Sequence, residues 1–262
     1  MDFDDIVNKK IVDVEKKRKL YPFIKLRDNA DKLAHRINLM HMTFDAAIKG
    51  NDSLSFICEI KKEQPENGII SEDFPYLQIA KEYKKAGAAA ISVLSPLEFL
   101  NGTEFFKYAM LPVLCKDFII DIYQIYEAKV FSASAVHLIA SILDTQVLKD
   151  FLQIVHELKM DAVVETHSES EIEKALKAGA NIISVNNRDL YTFNVDLTLS
   201  RRLRPYVPPE KTFVSESGIS TANDIKMLRD IGTDAVLIGD AIMRSTDKKA
   251  YLSELKSMLN RY

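Results

Sequence analysis

The chain has 262 residues, 47% of them hydrophobic and 28% charged, with only 8 glycines and 8 prolines. That balance describes a globular polypeptide able to bury a large core, and excludes a disordered or fibrous one. The formal charge of -3 is spread with both signs interleaved and no basic block, so neither nucleic acid nor a membrane surface is an expected partner.

The start, MDFDDIVNKKIVDVEKKRKL, carries acids early and no apolar h-region, so no secretory signal is expected. No apolar run reaches the roughly eighteen residues of a spanning helix. IVNKKIVDVEKKRKL and KLAHRINLMHMTFDAAIKG space their apolar residues three and four apart. That period predicts extra N-terminal helices over residues 1–50, packed on the rest of the chain. The run KKRKL (16–20) reads as a solvated helix end.

From residue 50 onward, short β-branched runs alternate with amphipathic stretches. The runs are SFICEIK (55–61), AAAISVL (88–94), PVLCKD (112–117), SAVHLIA (134–140), DAVVET (161–166), NIISVN (181–186), TFVSES (212–217) and DAVLIG (234–239). They are too apolar for half-exposed strands and predict parallel strands covered on both faces. Between them YLQIAKEYKKA, LKDFLQIVHELK and SEIEKALKAG show helical periodicity. Ser168 and Glu171 fit a capping box, and Gly179 a helix stop. Eight such alternations predict an α/β fold, a (β/α)8 TIM barrel with extra N-terminal helices, as a single domain over 1–262. An open doubly wound sheet would have fewer strands and often a glycine fingerprint missing here.

Cys58 and Cys115 are the only cysteines; they read as small core residues and suit a reducing cytoplasm. The glycosylation-like triplets Asn51-Asp52-Ser53 and Asn101-Gly102-Thr103 carry little meaning in a chain read as cytoplasmic. His137 reads as a packing histidine within an apolar strand. His35, His41 and His156 fall on helical patterns as surface or partly buried groups, and His167 reads as structural or solvent-facing. Neither an H-E-x-x-H pattern nor a P-loop appears, so no metal is expected.

In this architecture chemistry is built at the C-terminal strand ends. Those positions hold Glu59 and Lys61, then Lys116 and Asp117, Glu165, Asn186 and Arg188, Glu216, Ser217 and Gly218, and Gly239. Charges inside apolar strands are costly unless paired or used. Lysines and carboxylates in one pocket shift each other's proton affinity and supply both an acid and a base. Backbone amides near Gly218 and Gly239 suit a phosphate, since glycine lets the anion approach the main chain.

These residues give the chain its resemblance to the indole-3-glycerol phosphate synthase family, carried by CEIKK (58–62), AKEYKKAGAAAISVL (80–94), PVLCKDFIID (112–121), YQIYEA (123–128), VNNRDLYTF (185–193), VSESGI (214–219) and DAVLIGDAIMRS (234–245). The resemblance implies decarboxylating ring closure and dehydration of 1-(2-carboxyphenylamino)-1-deoxyribulose 5-phosphate to indole-3-glycerol phosphate. It implies Lys116 as general acid on the ribulose carbonyl and Glu165 as general base in the dehydration. Glu59 and Asn186 would stabilise intermediates, and Lys61 would transfer a proton or hold substrate. Arg188 would take the anthranilate carboxylate and Phe118 would pack on the ring. Glu216 and Ser217 would line the pocket, and Gly218, Gly239 and the amide of Asp240 would bind phosphate. An iminium serves as electron sink, so no cofactor is implied. A monomer is the expected state.

The chain departs from the family in three places. The first loop reads Gln64-Pro65-Glu66-Asn67-Gly68 where a Ser-Pro-Ser-x-Gly pattern is usual, which implies weaker binding there. Cys115 stands where an arginine commonly precedes the catalytic lysine, and a glycine pair is reduced to Asn101-Gly102. Two alternatives follow. A phosphoribosylanthranilate isomerase would be expected to use a cysteine and an aspartate, whereas Glu59 ends the first strand here. A catalytically silent relative is motivated by the altered loop and opposed by the retained charged set.

Overall fold

The computed structural model describes residues 3–35, 42–49, 54–61, 63–64, 68–69, 75–94 and 110–259. Eight parallel strands close into a barrel: β1 (Ser55–Ile60), β2 (Ala90–Leu94), β3 (Val113–Lys116), β4 (Ala135–Ile139), β5 (Asp161–Thr166), β6 (Ile182–Asn186), β7 (Thr212–Glu216) and β8 (Ala235–Ile238). Each strand bonds to its neighbour in sequence, and β1 closes the ring, with Ile57 opposite Ala90 of β2 on one side and Leu237 of β8 on the other. The alternation read from the sequence is therefore a (β/α)8 barrel. Every strand lies within two residues of its expected bounds.

Among the described residues the helices are α1 (Phe3–Leu20), α2 (Phe23–His35), α3 (Phe44–Ile48), α4 (Tyr76–Lys85), α5 (Ile122–Val130), α6 (Thr145–Glu157), α7 (Glu169–Ala178), α8 (Thr198–Leu203), α9 (Ala222–Asp230), α10 (Asp240–Arg244) and α11 (Lys248–Lys256). None is long and apolar enough to cross a membrane.

The period of two along each strand divides the core into two layers. Outward residues such as Phe56, Cys58 and Ile60 pack beneath helices through Ile79 and Tyr83. Inward residues Ile57, Ala90, Leu114, Ala135, Val163, Ile182, Val214 and Ala235 fill the barrel. Phe44 and Ile48 of α3 join this inner cluster, fully buried, as a plug. Removing each such large side chain from water is worth about 1.5–3 kcal/mol. Thr43 caps α3 by accepting from the amide of Ala46 at 3.1 Å, and the Asp45 carboxylate accepts from Thr212 Oγ1 at 2.6 Å and Asn181 Nδ2 at 3.0 Å. These bonds tie the plug to the starts of β6 and β7. Cys58 and Cys115 are buried in the outer layer, and burial pushes both thiols above the usual cysteine range.

The expected N-terminal helices are present as α1, α2 and α3, the last starting behind its threonine cap. Two sequence expectations need correction. The run 16–20 is only partly solvated: Lys17 pairs with Glu127 of α5 at 3.0 Å, and Arg18 with Asp121 before it at 2.5 Å. Below them Val14, Leu26 and Tyr123 form a small apolar cluster joining α1 and α2 to α5. The capping box of α7 is also half formed. Ser168 accepts from the amide of Glu171, but the Glu171 carboxylate accepts from His167 N–H, one residue earlier than the reciprocal bond requires. Gly179 does stop the helix, at φ +96°. His35 and His156 are exposed, while His41 and the triplets at 51–53 and 101–103 lie outside the described residues.

Candidate active site

One further inward step along each strand, toward its C-terminal end, turns the lining from apolar to polar. Ile57 is followed by Glu59, Ala90 by Ser92, Leu114 by Lys116, Ala135 by His137, Val163 by Glu165, Ile182 by Ser184 and Val214 by Glu216. Only β8 keeps an apolar residue, Leu237. A single turn of barrel interior is thereby lined with groups that titrate or hydrogen-bond, above a floor that does neither.

These groups form one chain of alternating charge. Arg188 lies 3.7 Å from Asp240, whose other oxygen pairs with Lys61. Lys61 Nζ is 2.9 Å from Glu59 Oε1, and Glu59 Oε2 is 3.8 Å from Lys116 Nζ. Lys116 pairs closely with Glu216 Oε2, while Ser184 donates to Glu216 Oε1 at 2.8 Å. His137 Nε2 stands 3.6 Å from Glu216 Oε1 and 3.1 Å from Glu165 Oε2. The other Glu165 oxygen is 3.5 Å from His167 Nε2, and His167 Nδ1 is 3.5 Å from Glu171. Both Glu165 contacts are at ion-pair distance without an aligned hydrogen bond.

Proton affinities follow from these neighbours. Burial lowers that of Lys116, but Glu216, Glu59 and Glu165 outweigh it and hold the ammonium above the usual lysine range. Burial raises that of Glu216, yet Lys116 and His137 hold its carboxyl well below the usual carboxylate range. For His137 burial again opposes the charge, and Glu165 with Glu216 push the pKa up to about 9. His167 is likewise raised, against burial, by Glu171 and Glu165. The two histidines read from sequence as packing or solvent-facing are thus members of the charged chain. His137, Glu165 and Glu216 also form the one grouping among the described residues close enough to offer three metal ligands. A proton on His137 and the Lys116 cation already balance its two carboxylates.

The remaining expected residues sit around this chain. Asn186 ends β6 buried, and its side-chain oxygen accepts from the Arg188 amide at 3.0 Å, shaping the turn that aims Arg188. That loop folds back on itself, with Arg188 bridged to Val195. Ser217 and Gly218 both take the left-handed conformation, at φ +69° and +78°, and a Cβ on Gly218 would collide with Val195. Gly239 precedes α10, and a Cβ there would lie 2.5 Å from Glu59 Oε1. Phe118 is half-buried just after β3, beside Asp117, which pairs with Lys10 of α1 at 2.7 Å. The altered first-loop residues 65–67 lie outside the described residues.

Sequence reasoning missed Asn187. It is buried and donates to Ser215 Oγ, the Glu216 carbonyl and the Ser217 carbonyl, and it accepts from both the amide and the hydroxyl of Ser200. It fixes the backbone carrying Glu216 from the neighbouring strand. His137 carried a signal that was available: its offset from Ala135 equals that of Lys116 from Leu114.

The model of the family described as "Indole-3-glycerol phosphate synthase" matches residues 3–255. A protein of that name from Ruminiclostridium cellulolyticum is 47% identical over 261 residues, 98% of this chain and 99% of its own length. One from Endomicrobium trichonymphae is 52% identical over 208 residues, covering 78% and 81%. Among solved structures, thiamine phosphate pyrophosphorylase from Pyrococcus furiosus superposes with a TM-score of 0.59 over 80% of this chain and 96% of its own. At 16% identity that likeness is one of fold alone.

Proposed function

Because the chain belongs to the indole-3-glycerol phosphate synthase family, we propose a division of labour among its charged residues. The enzyme is a carboxy-lyase of tryptophan biosynthesis, acting on a phosphorylated small molecule. It closes the pyrrole ring of 1-(2-carboxyphenylamino)-1-deoxyribulose 5-phosphate with loss of carbon dioxide, then of water.

Lys116 is the general acid on the ribulose carbonyl. The observation that carries this reading is its placement at the barrel mouth between Glu216 and Glu59. Those carboxylates keep it an ammonium at neutral pH, so the carbonyl always meets a charged donor. Ring closure places positive charge on the anilino nitrogen, and the departing carboxylate returns its bonding pair to that iminium. Glu165 is the base that takes the proton lost as the indole aromatises; its buried Oε1 accepts no hydrogen bond among the described residues. Glu59, held between two lysines, and Asn186 stabilise the cationic intermediates.

Lys61 holds substrate or moves a proton, and Arg188 takes the anthranilate carboxylate through its planar fork. Phe118 packs on the ring, and Glu216 and Ser217 line the pocket. Gly218, Gly239 and the Asp240 amide receive the phosphate. The same reading takes residues 1–262 as one domain, working as a cytoplasmic monomer without nucleic-acid partners.

The test is a fluorescence assay following indole-3-glycerol phosphate from the carboxyphenylamino substrate, with Lys116→Ala alongside. Turnover is expected, falling by about 10²–10⁴-fold in the variant. Absence of turnover at saturating substrate would favour a silent relative; full activity of Lys116→Ala would remove Lys116 from the acid role.

A further inference from the structure

We propose that His137 is a positioning residue through which the proton gained by Glu165 returns to Lys116 by way of Glu216. The proposal rests on the acid and base roles given above to Lys116 and Glu165. His137 lies deep in the barrel at 2% exposure, as does Glu165, and Glu216 is fully buried. Both carboxylates are thus largely screened from bulk water among the described residues. A single ring nitrogen, Nε2, faces both carboxylates, 3.1 Å from Glu165 Oε2 and 3.6 Å from Glu216 Oε1. The second oxygen of Glu216 holds the Lys116 ammonium.

The charged or polar groups around the ring are Glu165 from β5, Glu216 from β7 with Lys116 of β3 behind it, and Ser184 of β6 on Glu216. His167, after β5, stands on the far oxygen of Glu165. Carboxylates on two sides favour an imidazolium and outweigh burial, so the nitrogen carries a proton at rest. A histidine serving only to fill space would gain nothing from facing two buried acids.

The proton balance closes. During a turnover the Lys116 ammonium gives a proton to the carbonyl oxygen, and Glu165 takes one from the carbon that joins the aromatic ring. Lys116 is left as an amine and Glu165 as a carboxylic acid. The imidazolium gives its Nε2 proton to Glu216, which passes one to the amine, and the vacated Nε2 then accepts from Glu165. The sum is one proton moved from Glu165 to Lys116, with His137 and Glu216 restored. The hydroxyl leaving as water draws its proton from solvent, so the reaction still takes up one proton per carbon dioxide released.

Such a return path is needed only between turnovers, and this separates it from a role in holding Glu165 alone. The experiment is rapid-mixing fluorescence on wild type and His137→Gln, with enzyme in excess and then with substrate in excess. Glutamine keeps the size and a donor but cannot carry a proton. The expected first turnover is within about threefold of wild type, while steady-state kcat falls about 10- to 100-fold and KM falls with it, leaving kcat/KM little changed. Equal slowing of first and later turnovers, or no slowing in either, overturns the proposal. His137→Asn replaces the glutamine variant should thermal unfolding show that variant misfolded. Lys116→Ala and Glu165→Gln, run with enzyme in excess, are expected to lose the first turnover itself. If either keeps it, the acid–base assignment fails and the return path falls with it.

Discussion

The His137 cluster makes stability depend on alkaline pH in a way that can be calculated. Its pKa rises from 6.5 to about 9 on folding, because Glu165 and Glu216 favour the charged ring more than burial disfavours it. A group raised on folding contributes stability that is fully present below its unfolded value and lost as pH climbs through its folded one. At about 1.36 kcal/mol per pH unit, the interval amounts to about 3 kcal/mol. Urea unfolding of wild type and His137→Gln between about pH 6 and about pH 10 measures it directly. The variant is expected to be less stable near pH 6, and the gap to narrow by about 3 kcal/mol toward pH 10. His167 is raised in the same direction but persists in both proteins, so it cancels from the difference. Parallel curves would refute an imidazolium at this site.

Gly239→Ala tests the packing behind Glu59 and the role proposed for it. Its backbone, at φ −128° and ψ −80°, lies outside the regions most residues favour, and the added methyl would stand 2.5 Å from Glu59 Oε1. Glu59 must then move off its lysines, and a kcat loss of about 10- to 100-fold in a folded protein is expected by steady-state kinetics. Asn187→Ala removes an amide bonded to Ser215, Glu216, Ser217 and Ser200. It should cost about 2–4 kcal/mol, seen as a Tm lower by roughly 5–15 °C. A shift under about 2 °C would show that those bonds carry little net energy.

The barrel was legible because parallel strands buried on both faces read as nearly continuous apolar runs, and strand-end charges such as Lys116 and Glu165 interrupt them conspicuously. His137 escaped notice for the opposite reason. A histidine amid Ala-Val-Leu-Ile reads as packing until the neighbours on β5 and β7 are known, and those lie 28 and 79 residues away in sequence. The same holds for Lys17 and Arg18, whose partners on and before α5 are over a hundred positions distant. Local patterns gave the caps at Ser168 and Gly179, but which oxygen the Glu171 side chain meets is decided by the path of the preceding chain. Asn187 was passed over beside Asn186, since two adjacent asparagines point to opposite sides of the barrel wall and only one fits an expected role.

The α3 plug has a consequence for traffic. Phe44 and Ile48 seal the floor of a barrel already filled by its own side chains, so among the described residues the polar ring opens only toward the C-terminal ends of the strands. On the roles proposed above, carbon dioxide and water leave by the same mouth as the phosphorylated product. An enzyme whose products share one mouth ties the departure of its smallest to the motion of its largest, and opening that floor would be felt as a change in the order of release before any change in the chemistry.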